Sequence, residues 1–162
     1  MQRAIAPESG GEYVEVVTVG TGDADLTGFT LAKRTASGAM ARCTLALAGG
    51  GPIPPGGYAL VVGAAYDGRY ALPAGTAIYH CGATALAGGL ANDRAPALAL
   101  EDAAGAVVSS AGMIEPAPRC PAALERIHPT SPDATASWTC GARTPGVCNV
   151  ATPPAECAKR PW

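Results

Sequence analysis

Apolar and polar residues alternate over short stretches of this chain and never settle into a sustained helical period. Residues 12–18 (Glu-Tyr-Val-Glu-Val-Val-Thr) are β-branched and partly alternating, which reads as a strand. Residues 26–33 set Phe29 and Leu31 on one face against Thr30 and Ala32 on the other, the two-residue period of a half-buried strand, and residues 43–48 repeat it. Pro52, Pro54 and Pro55 exclude helix and central strand from 49–57, because proline lacks the amide donor and fixes φ. That segment delivers the chain into 58–62 (Tyr-Ala-Leu-Val-Val), the most apolar strand. A long connection over 66–75 leads to a short strand at 77–81, and the Ala/Gly/Leu-rich 83–91 reads as either a helical turn or a loop. Residues 97–101 and 106–110, joined by Asp102-Ala103-Ala104-Gly105, form the clearest hairpin. Pro116, Pro118 and Pro121 then interrupt the chain before a strand at 123–127.

Short strands punctuated by turn residues predict an all-β fold, with two packed sheets because a lone sheet would leave an apolar face in water. The expected organisation is a flexible lead-in over 1–11, a sandwich domain over 12–149, and a Pro-rich tail over 150–162 lying across the surface.

Composition changes this picture in one respect. A chain of 162 residues is long enough for one ordinary core. Yet only 5 % of its residues are aromatic, against 48 % hydrophobic, so burial comes from Val, Leu and above all Ala. Such a core gains less apolar area per ordered residue and calls for additional fastening. Six cysteines supply it: Cys43, Cys81, Cys120, Cys140, Cys148 and Cys157 include no CxxC pair, and the histidines are His80 and His128 alone, so disulfides are expected rather than zinc. Disulfides place the protein in an oxidising compartment, outside the cell or in its envelope. The opening residues hold no apolar leader, which reads as a mature domain whose export signal has been removed, with Met1 added. No apolar run is long enough to span a bilayer as a helix, and a net charge of -2 with no basic stripe argues against nucleic-acid partners.

Taken in order, several segments resemble the lamin-tail domain family. They are Glu12-Tyr13-Val14-Glu15-Val16, Asp25-Leu26-Thr27-Gly28-Phe29-Thr30-Leu31, Pro55-Gly56-Gly57-Tyr58-Ala59-Leu60-Val61-Val62 and the hairpin from Leu98 to Val108. Leu124-Glu125-Arg126, Trp138, Thr144-Pro145-Gly146 and Asn149 close the series. The resemblance covers about 12–149. It implies an immunoglobulin-like β-sandwich, here stapled by disulfides, with no catalytic residue, cofactor or metal to carry over. Its signature residues in this chain are Glu125, Arg126, Trp138, Pro145 and Gly146. It further implies a non-enzymatic binding or tethering module whose partner is a protein or envelope component. The cysteines depart from the intracellular lamin type, and there is no coiled-coil rod, so a bacterial exported version is the better match. Such domains also accompany nucleases, phosphoesterases and other hydrolases, which makes the alternative an accessory domain of an exported hydrolase acting on nucleic acid or carbohydrate. Neither the ligand nor the oligomeric state follows from it.

Read physically, Glu125 and Arg126 alternate along one strand and so face opposite ways. Arg126 is expected to pair with an acidic neighbour or to lay its stem over Trp138. Pro145-Gly146 sets a tight turn. For the disulfides, Cys43 opens one strand and Cys81 closes another, which suits a bridge between neighbours. Cys140 and Cys148 flank the Pro145-Gly146 turn, and elimination then gives Cys120–Cys157; the rival scheme is Cys120–Cys140 with Cys148–Cys157. Catalytic candidates are weak. His80 beside Cys81 could form a Cys-His nucleophile only if Cys81 were a free thiol. His128 before Pro129 reads as a turn residue. Asp23, Asp25, Asp67, Asp93 and Asp102 could offer oxygens to calcium but read more simply as turn caps.

Overall fold

The computed structural model describes residues 2–4, 9–35, 37–82, 84–90, 97–111, 123–132, 134–149, 152 and 157. Among them the chain is all-β. The strands are β1 (Gln2–Ala4), β2 (Tyr13–Val17), β3 (Thr30–Arg34), β4 (Met40–Gly49), β5 (Tyr58–Val62), β6 (Ala77–Cys81), β7 (Leu98–Glu101), β8 (Val107–Ala111), β9 (Ala123–Arg126) and β10 (Trp138–Gly141). They lie side by side in the order β10-β9-β1-β2-β5-β6-β4-β3-β7-β8. Neighbours are antiparallel except β5 and β6, which run parallel.

The strands form one continuous curled sheet, and β4 joins its two halves. Residues 40–44 of this strand pair with β3, whereas Leu45, Ala46, Leu47 and Gly49 pair with β6 across an irregularity in register. One strand thus serves both halves. The curl brings Val14, Val61, Tyr79 and Leu124 into the same core as Leu31, Leu98 and Leu100.

The apolar pattern of β5 follows from its place. All five of its residues are buried: Ala59 and Val61 join the enclosed core, while Leu60 and Val62 join a second cluster on the outer face. Tyr66, Tyr70 and Leu72, from the connection between the parallel strands β5 and β6, pack over that outer cluster. A strand covered on both sides reads as an uninterrupted apolar run.

Several boundaries differ from the sequence reading. The first strand lies within the expected lead-in, where Gln2–Ala4 pair with both β2 and β9; three residues are too few to carry a period. β3 starts at Thr30 rather than at 26, because Phe29 N–H bonds back to the Leu26 carbonyl and Gly28 turns the chain at φ 83°. Trp138–Gly141 form an edge strand against β9. Leu86–Gly88 form a short 3₁₀ turn in which Ala87 adopts φ 48°. Of the tail, only Thr152 and Cys157 belong to the described residues.

Cys43 is bonded to Cys81, tying β4 to β6 at the bend, with Cα atoms 5.3 Å apart. Cys148 is bonded to Cys157, Cα atoms 6.0 Å apart, which corrects the expected pairings of Cys140 with Cys148 and of Cys120 with Cys157. The reason lies in the turn between Cys140 and Cys148. Its Gly146 N–H is held by the Glu15 carboxylate of β2, 2.6 Å away, so the segment crosses toward β2 instead of folding back on β10. Cys140 is itself disulfide-bonded. Cys120 lies outside the described residues.

Candidate functional site

A groove of about 410 Å³ opens between the two ends of the curled sheet. Val16 and Val17 of β2, continuing into Thr18 and Val19, form one wall, and Val108–Ser110 of the terminal strand β8 form another. Leu26 and Leu100 contribute apolar surface, and Pro129, Thr130 and Ser131 close one side. Water reaches this apolar surface: Val19 and Val108 are 45 and 53 % exposed.

Arg126, the last residue of β9, is the charged side chain among the described residues that line the groove. It is 8 % exposed. The β9–β10 register sets it opposite Trp138, and its guanidinium carbon lies 4.8 Å from the indole centroid. This cation–π contact holds the planar group against an aromatic face. Nη2 donates to the Ser110 carbonyl of β8 at 2.6 Å, so Arg126 ties one end region of the sheet to the other. Its own carbonyl accepts from Asn149 Nδ2 at 3.2 Å. The 128–131 wall is held by a turn in which Ser131 N–H bonds the His128 carbonyl and the Thr130 hydroxyl lies 2.8 Å from His128 Nδ1.

Behind Arg126, on the outer face of the sheet, lies a buried acidic cluster. Glu15 and Glu125 are 2 and 0 % exposed. Glu15 accepts from Gly146, and a Cβ added at Gly141 would fall onto the Glu125 carboxylate, so a side chain there has to displace that buried group. Burial drives the Tyr13 phenol far above the usual tyrosine range, Glu15, Tyr70 and Glu125 push it further, and Arg143 opposes them. A small cavity of about 10 Å³ lies between Glu15, Tyr58, Arg126, Asn149 and Thr152.

Of the signature residues, Arg126 and Trp138 come together beside the groove. Glu125 belongs to the outer face, and Pro145 and Gly146 lie in the turn bonded to Glu15. Cys81 is in a disulfide and offers no thiolate to His80. Asp25 caps its own turn through the Thr27 N–H and hydroxyl, which hold its carboxyl below the usual range. Asp67 binds Arg69, and Asp102 accepts from Ala104 N and Ala106 N in the hairpin turn. Asp93 lies outside the described residues; among those described, no group of three or more His, Cys, Asp or Glu is placed to hold a metal. Nor is any helix of the described residues long and apolar enough to cross a membrane.

Sequence reasoning did not single out Glu15, Tyr13 or the groove. The signal for Glu15 was present: an acid flanked by valines inside a β-branched strand. The groove left no local signal, since its walls come from distant parts of the chain. No family model matches this chain, and no curated protein or solved structure matches it.

Proposed function

We propose that this chain is a non-enzymatic binding or tethering module of an exported or cell-envelope protein, built as an immunoglobulin-like sandwich of the lamin-tail type. The observation that carries the reading is the groove between β2 and β8. It presents solvent-exposed valines at the rim of a well-buried scaffold, and apolar surface kept open to water marks a place where something docks. The segments that resemble the lamin-tail family fall on β2, β3, β5, the β7–β8 hairpin, β9 and β10, in that order along the chain. Two disulfides support an oxidising compartment.

The test is site-specific photo-crosslinking. A benzophenone amino acid at Val108 in the groove wall is compared with one at Leu47, exposed on β4. Incubation with envelope preparations is expected to give discrete adducts at 108 that unlabelled protein competes away, and none at 47. Equal, non-competable labelling at both positions would rule out the groove as the docking surface.

A further inference from the structure

Where β2, β9 and the chain beyond β10 meet, we infer that one buried water molecule is an integral part of the fold. Its anchor is Asn149 Oδ1, in the small cavity that Asn149 shares with Glu15, Arg126 and Thr152. Nothing in this site depends on what docks in the groove.

An orphaned oxygen marks the place. Asn149 Nδ2 donates to the Arg126 carbonyl at 3.2 Å, and that bond decides which end of the amide is which. The other end, Oδ1, is buried and has no hydrogen-bond partner among the described residues. A buried amide oxygen is costly to leave dry, so native structures bring it a protein donor or an ordered water. The Asn149 backbone is satisfied separately, its carbonyl accepting from Thr152 N–H at 3.1 Å.

Size selects the ligand. The cavity has a volume of about 10 Å³, and a single water requires about 10–15 Å³. An acyl chain, a sugar or a phosphate is excluded on volume alone.

The lining is polar enough to keep that water in place. A buried water makes about two to four hydrogen bonds, and Asn149 Oδ1 accepts one of them. A carboxylate offers about four acceptor sites, so Glu15, which already accepts from Gly146 N–H, takes the second proton. Thr152, 3 % exposed, and Arg126 complete the polar lining. With one acidic and one basic residue on its walls, the cavity selects neither a cation nor an anion. A neutral molecule that both donates and accepts suits it.

Such a bridge is nearly as good as a direct hydrogen bond. It gives the chain beyond β10 a second tie to β2, beside the bond from Gly146 to Glu15.

High-resolution crystal structures of the parent and of N149L test the site, together with magnetic relaxation dispersion of the water deuterons in solution. In the parent, one peak of water density is expected within hydrogen-bond distance of Asn149 Oδ1. N149L replaces the amide by an apolar group of similar size, and there the peak is expected to vanish. The parent should accordingly hold one more long-lived water in solution than N149L. Asn149 Oδ1 bonded to a protein donor, with no density in the cavity, would overturn the inference. So would an anomalous peak there after soaking in a rubidium salt, which makes the occupant a cation. An unchanged peak and an unchanged count of long-lived waters in N149L would overturn it as well. The parent crystals decide the first two outcomes without any variant, so a poorly folding N149L does not remove the test.

Discussion

Arg126 and Trp138 face each other across β9 and β10, and the guanidinium lies 4.8 Å from the indole centroid. The same side chain reaches the Ser110 carbonyl of β8. One residue therefore links an aromatic anchor at one end of the sheet to the strand at the other. Arg126→Lys keeps the charge but loses the planar stack and the fork of donors. It should lower unfolding free energy by about 1–2 kcal/mol in urea titrations. In W138L the further cost of Arg126→Lys should shrink by about half of that, the signature of direct coupling in a double-mutant cycle.

Tyr13→Phe should stabilise the protein. The Tyr13 hydroxyl is buried without a hydrogen-bond partner among the described residues, and removing such a group recovers about 1 kcal/mol of desolvation cost. The ring itself stays edge-on to Tyr70, centroids 5.2 Å apart. Thermal melts of Y13F and the parent at pH 7 check this.

Stability should decline at both extremes of pH, for opposite reasons. Burial raises the Tyr13 phenol, so the folded state keeps a proton that the unfolded chain gives up above about pH 10. The stabilisation is whole below that point and is lost as pH climbs, by about 1.4 kcal/mol per pH unit for this one group. Y13F should remove this share of the alkaline slope and leave the shares of Tyr66, Tyr70 and Tyr79, which burial also raises. In acid, Asp25 and Asp67 titrate below their unfolded range, the first through Thr27 and the second through Arg69. Their contributions are whole above about pH 4 and disappear as pH falls through the lowered folded values. Denaturant midpoints measured from pH 2 to 12 test both limbs.

Gly146→Ala should destabilise by about 1–3 kcal/mol. Gly146 has φ 81°, and an added Cβ would lie 2.8 Å from Pro73 Cδ. Displacing the turn also breaks the bond to the buried Glu15 carboxylate. Gly22→Ala, where a Cβ meets nothing within 4 Å, is the matched control and should be near neutral.

Non-reducing peptide maps should show Cys43 linked to Cys81 and Cys148 linked to Cys157. Since Cys140 is also bonded, the count of six cysteines leaves Cys120 as the peptide expected with it. On chain-entropy grounds, replacing Cys43 and Cys81 by serine should cost about 4 kcal/mol, and replacing Cys148 and Cys157 about 2.7, because the second loop is shorter. Recovery of a Cys140–Cys148 peptide would contradict the arrangement.

What the sequence disclosed was local. Residues 58–62 and the 97–110 hairpin were legible because their periods and the Asp102-to-Gly105 turn are complete within the segment. The Cys43–Cys81 bridge could be anticipated from two cysteines at strand ends. The route of the chain after β10 could not, since it depends on Glu15 meeting Gly146 across 131 positions. Gln2–Ala4 became a strand only through ladders on both sides. The groove had the same difficulty: Val16, Val108 and Arg126 are brought together by the curl of the sheet, and no window of sequence contains it.

That β4 is shared has a consequence for how the protein comes apart. Neither half can open by itself, because withdrawing residues 40–44 from β3 tugs on the same strand that pairs with β6, and Cys43–Cys81 rivets the two at the junction. Partly open forms that would expose cleavable backbone are therefore scarce until the whole domain lets go. Wherever proteases are present, such all-or-none opening is itself a form of durability.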